Sequence, residues 1–126
     1  IARRADSPKP FENANLITEH DGVKLWELKG QKMPIGFHPL MERPFVTHTT
    51  LVLPDDKIYL MSDGFGDQTG GAKGNKLLQQ NLKKYIAEIQ QFPLSIQNER
   101  LEKLLHTWMG HNKQVDDILV MGIVLP

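Results

Sequence analysis

The chain has 126 residues, enough for one domain with its own core. Fifteen basic and fifteen acidic residues cancel, which excludes the basic field expected of a nucleic-acid reader or an anionic-membrane binder. The absence of cysteine excludes disulfides and thiolate zinc sites, and it suits a reducing, cytoplasmic setting.

Residues 1–15 carry Pro8, Pro10, Asn13 and Asn15 without an apolar period and read as a loose leading segment of the single domain 1–126. The chain starts Ile1-Ala2-Arg3-Arg4 rather than with methionine, which reads as a piece of something longer. Val23 to Leu28 alternates after the turn pair Asp21-Gly22 and predicts a strand leaving a hairpin turn. Lys29 to Lys32 closes it, and Pro34-Ile35-Gly36-Phe37-His38-Pro39 predicts a loop. Phe45 to Leu53 is rich in β-formers, Pro54-Asp55-Asp56 is a turn, and Lys57 to Ser62 is a second strand. The two are expected to form an antiparallel hairpin.

Gly66, Gly70, Gly71 and Gly74 then predict a mobile surface flap. Leu78, Leu82, Tyr85, Ile86 and Ile89 fall on one helical stripe that Phe92-Pro93 ends. Ser95 is a candidate cap for a second helix, buried through Leu101, Leu104, Leu105 and Trp108 and stopped by Gly110. A last strand from Asp117 to Leu125 is apolar enough to expect it in the middle of a sheet. Its apolar run from Ile118 is eight residues, against the ~20 that span a bilayer as a helix. Antiparallel strands with a helical pair inserted predict an α+β fold, mainly antiparallel sheet.

Two stretches carry chemistry. Ile58 to Met61 delivers Asp63 at the C-terminal end of a strand, with Gly64 freeing the backbone to turn and Asp67 following. Asp116-Asp117 stands at the start of the last strand. If the strands are neighbours, the carboxylates meet at one end of a sheet, where a hard divalent cation with oxygen ligands would relieve their repulsion. The competing readings are a turn aspartate bonding its own backbone at Asp63 and a capping acid at Asp116-Asp117. Gly66 to Lys73 lacks the Gly-Lys-Ser/Thr ending of a phosphate loop. Lys73 and Lys76 are ordinary solvated lysines or phosphate-facing charges. Five histidines show no metal-ligand spacing, and no Ser/His/Asp or Cys/His set can be assembled.

Taken together, Tyr59-Leu60-Met61-Ser62-Asp63-Gly64-Phe65-Gly66-Asp67-Gln68-Thr69-Gly70-Gly71, Trp108-Met109-Gly110 and Gln114 to Ile123 resemble the metal-dependent serine/threonine protein phosphatases of the PPM (type 2C) group, in the bacterial SpoIIE-like branch. Met33-Pro34-Ile35-Gly36 resembles a loop of the same family. The resemblance runs over roughly residues 23 to 126. It implies part of a four-layer αββα sandwich with two Mn²⁺ or Mg²⁺ ions, ligated here by Asp63 and Asp116. Gly64, Asp67 and Asp117 would stand behind them or touch metal-bound water. The implied reaction is attack of a metal-activated water on phosphoserine or phosphothreonine in bacterial signalling. The implied partner is a phosphoprotein such as an anti-sigma-factor antagonist, with an upstream sensor domain.

The family's Gly-His-Gly motif, which follows the metal-bridging aspartate, is absent. Only the C-terminal half of the domain is therefore expected here, inactive alone and prone to self-associate or to pair with its missing half. The alternative is a non-enzymatic, degenerate phosphatase-like interaction module.

Overall fold

The computed structural model describes residues 1–31 and 44–126. The loop reading at Pro34–Pro39 and the Met33–Gly36 resemblance lie outside the described residues. In chain order the elements are β1 (Ala2–Arg4), β2 (Asn15–His20), β3 (Val23–Glu27), β4 (Lys57–Met61), α1 (Gly64–Asp67), β5 (Thr69–Gly70), β6 (Asn75–Lys76), α2 (Gln79–Glu88), α3 (Leu94–Met109) and β7 (Val120–Val124). Five strands form one antiparallel sheet in the order β2-β3-β1-β4-β7, while β5 and β6 make a separate ribbon. This is an α+β fold, as its sequence pattern predicts.

The β2–β3 hairpin turns at Asp21-Gly22, both with positive φ (45° and 75°). Those angles give the twist that a two-residue hairpin turn needs. Strand β3 presents Leu25 to the core, and β4 presents Tyr59 and Met61. Helices α2 and α3 cover that face. Leu82 and Ile86 of α2 are wholly buried, with Ala87, Ile89 and Leu101 beside them. At the β4–β7 end, Gly122 lies opposite Tyr59, and a Cβ there would stand 3.0 Å from Leu94 at the start of α3. Glycine lets the helix settle onto the strand.

Four expectations are corrected. Residues 1–15 are not wholly loose: β1 sits between β3 and β4, with Ala2 opposite both Leu25 and Lys57. Phe45 to Leu53 forms no strand, and β4 pairs instead with β1 and β7. Phe45, Val46 and Leu51 are exposed, so β-propensity there finds no partner among the described residues to realise it. Among the described residues strand β7 is an edge strand, bonded to β4 alone. Its Met121 and Ile123, with Leu60 of β4, expose apolar surface on the face away from the helices. Finally, Pro93 rather than Ser95 occupies the N-cap of α3, without a side-chain cap. The stop at Gly110 holds: its φ is 55° and its N–H reaches the His106 carbonyl at 3.0 Å.

Candidate functional site

The site is built where β4 runs out. Past Met61 the backbone stays bound to the segment leading into β7, the Ser62 N–H donating to the Leu119 carbonyl at 3.0 Å. The Ser62 hydroxyl then makes a second stitch. It donates to the Asp117 carbonyl at 2.9 Å and accepts the Leu119 N–H at 3.0 Å. The next contact needs glycine, since a Cβ on Gly64 would come within 2.9 Å of the Asp117 carbonyl carbon. The Ser-Asp-Gly turn and the Asp-Asp segment therefore lie side by side, and Asp63 and Asp116 stand on neighbouring segments at one end of the sheet.

Their side chains differ in how they are engaged. Asp63 is exposed and occupies the N-cap of α1, yet makes no side-chain cap bond. The self-bonding turn reading does not describe it. Asp116 is also exposed, but its Oδ1 accepts the Asp117 N–H at 2.7 Å. One oxygen is thus taken up by the neighbouring backbone, leaving Oδ2. The Asp117 contacts to this structure run through its backbone, as acceptor for Ser62 and donor to Asp116. Asp67, the last residue of α1, pairs with Lys76 at 3.1 Å. Lys76 is therefore an acid's partner here. His106 and Glu102 approach each other along α3 at 3.8 Å, away from this turn in sequence.

The glycine stretch expected to be a surface flap is largely structured. Gly64, Phe65, Gly66 and Gly70 are buried, and only the tip from Gly71 to Lys76 is exposed. A Cβ on Gly70 would overlap the Trp108 carbonyl and come within 2.7 Å of its ring. Gly71 N–H donates to that same carbonyl at 2.8 Å, and Trp108 Nε1–H donates to the Gln68 carbonyl at 3.0 Å. Gln68 is fully buried and sends its amide to the carbonyls of Thr69 and Lys113, tying α1 to the loop before Asp116. Sequence reasoning missed Ser62, Gln68 and Gln79 as residues that build the site. A glutamine beside a glycine run and a serine before the aspartate are weak signals, since both are ordinary turn residues.

Asp63 and Asp116 suit a hard cation in kind, being oxygen donors on adjoining segments of a cysteine-free chain. They fall short in number. Among the described residues no group of three or more histidine or acidic side chains could hold a metal, whereas such cations take about six ligands.

The sequence matches the family described as Stage II sporulation protein E (SpoIIE) over residues 12–125. The chain belongs to the SpoIIE family. A solved structure, the SiaA-PP2C domain of Pseudomonas aeruginosa, is similar at 28% identity and a TM-score of 0.53, over 56% of this chain and 29% of that one. That likeness carries the α+β fold of a PP2C-like phosphatase domain, of which this chain spans less than a third. No curated protein matches the sequence. SpoIIE membership makes the chain a relative of phosphatases, a group that uses divalent metals. Among the described residues no helix is long and apolar enough to cross a membrane.

Proposed function

We propose that this chain is the C-terminal part of a metal-dependent phosphoserine/phosphothreonine protein phosphatase, working in a bacterial cytoplasmic signalling switch. The observation that supports it most is the double stitch of Ser62 to Asp117 and Leu119, which sets Asp63 and Asp116 on neighbouring segments. Asp63 offers a carboxylate with no bond to its own helix, and Asp116 offers Oδ2. Those atoms would hold Mn²⁺ or Mg²⁺, with further ligands supplied outside the described residues. Bound divalent ions supply an acidified water and a clamp for phosphoryl oxygens. The chain's own part is to hold the two acid-bearing segments together. Gly64 allows that close approach, and the Asp67–Lys76 pair lies at the other end of α1.

The substrate on this reading is a phosphoprotein, such as an anti-sigma-factor antagonist. The test is Mn²⁺-dependent hydrolysis of a phosphoserine peptide by the longer protein that carries this chain. Asp63→Ala and Asp116→Ala are each expected to lower kcat/KM by more than about 100-fold, and the chain alone should turn nothing over. Hydrolysis untouched by both substitutions overturns the assignment. Absent hydrolysis leaves the chain as a non-enzymatic, phosphatase-like interaction module.

A further inference from the structure

We infer that Gln79, the first residue of α2, is a positioning residue for Asp63. Its side-chain amide donates both N–H groups, one to the Ser62 carbonyl and one to the Asp63 carbonyl, each at 3.0 Å. Those carbonyls belong to the two peptide planes that flank the Asp63 Cα. A single side chain therefore fixes both planes, and with them the direction in which the Asp63 Cβ leaves the backbone. This matters because Asp63 makes no side-chain cap bond that could orient it.

The glutamine's orientation is settled by its partners. Exchanging its oxygen and nitrogen would set an acceptor against two carbonyls, so the nitrogen must face the turn. That choice leaves Gln79 Oε1 buried without a hydrogen-bond partner. A buried unsatisfied acceptor is unfavourable and calls for an explanation. Here the explanation is that both donors are committed to the turn.

The surroundings are shaped to hold the residue there. A Cβ on Gly66 would lie 2.7 Å from both the Gln79 backbone nitrogen and its Cγ, so only glycine admits this approach. Leu78 donates its N–H to the Gly66 carbonyl at 2.7 Å while adopting a φ of +75°. A branched side chain rarely takes that conformation. The start of α2 is thus seated against α1 at a conformational cost, and Gln79 carries the contact onward to the acid.

The consequence for metal affinity rests on the phosphatase reading above; the consequence for the backbone does not. Two measurements on the longer protein that carries this chain separate them. Gln79→Met keeps volume and helix propensity and removes both donors, and Gln80→Met is the neighbouring control. Amide hydrogen exchange without metal should speed up at Asp63, Gly64 and Phe65 in Gln79→Met, with the α2 interior and β4 unchanged. Mn²⁺ affinity should weaken by about 10-fold or more, the range of residues that orient metal ligands, and Gln80→Met should alter neither. Exchange that rises evenly through α2 and β4, or a turn that exchanges as before, overturns the positioning role. Asp63→Ala is measured alongside. If it binds Mn²⁺ as tightly as the unaltered protein, the metal reading fails and the exchange data alone decide for Gln79.

Discussion

Arg3 and Asp56 are 3% and 2% exposed, and two charges this deep are tolerable only when every group finds a partner. The guanidinium donates to both Asp56 oxygens, through Nε at 3.0 and 3.1 Å and through Nη2 at 2.5 Å. Nη1 and Nη2 also donate to the carbonyls of Pro8 and Leu51, respectively. Asp56 also accepts the Leu53 N–H at 2.9 Å. Asp56→Ala would strand the arginine, and urea denaturation should show a loss of about 3–5 kcal/mol. A second buried network centres on Tyr59, whose hydroxyl donates to Gln97 Oε1 at 2.7 Å and accepts from Gln90 Nε2 at 2.8 Å. Burial raises the Tyr59 pKa, opposed by the hydrogen bond it accepts from Gln90. The fold therefore holds this proton more tightly than the unfolded chain does. The resulting stability is complete below about pH 10, the unfolded value, and is lost as pH rises through the folded one. Lys57 shifts the opposite way through desolvation, and comparing variants cancels it. Tyr59→Phe is expected to cost about 1–3 kcal/mol at neutral pH and to flatten this alkaline decline in thermal unfolding scans.

At the scale of elements, the turn after β4 depends on atoms that are missing. Gly64→Ala would press a methyl against the Asp117 carbonyl and force the two acid-bearing segments apart. Overpacking of that kind costs about 1–3 kcal/mol, so a lower unfolding temperature is expected. On the proposed function, Mn²⁺ affinity in a titration should fall with it. The same glycines show where the sequence is readable and where it is not. Gly66 and Gly70 have the letters of a mobile flap, but glycine serves backbone freedom and close approach equally, and only the neighbours decide between them. Both lie against a partner, Gln79 and Trp108, distant enough in sequence to leave no periodic trace. Helices α2 and α3 are legible because a long apolar stripe survives local noise. Strand β1 is not, being three residues long with a buried arginine at its centre. Strands β4 and β7 are legible through apolar runs bounded by acids, although β7 begins at Val120 rather than at Asp117. The placement of β7 at the edge is not, because an apolar run reports burial in some assembly without naming which one.

For the whole molecule, the sheet has one face under α2 and α3 and, among the described residues, one face bare. Leu60 is 56% exposed and its cross-strand neighbour Met121 is 45% exposed. Among the described residues strand β7 adds an unpaired edge free of charge and proline. Such edges invite pairing with another chain. We therefore expect the chain alone to self-associate, and Met121→Lys to shift sedimentation toward monomer. Its unfolding free energy should stay within about 0.5 kcal/mol, since the residue lies outside the helix-covered core.

Lys57 stands opposite Ala2 on one side and Val124 on the other. Completing the sheet thus requires three remote stretches to converge, a topology of high contact order. The β2–β3 hairpin and the helices can form within microseconds, while closure of the long loops sets a pace of milliseconds or slower. Stopped-flow refolding should show helical signal arriving early, with the β1–β4 and β4–β7 pairings completed later.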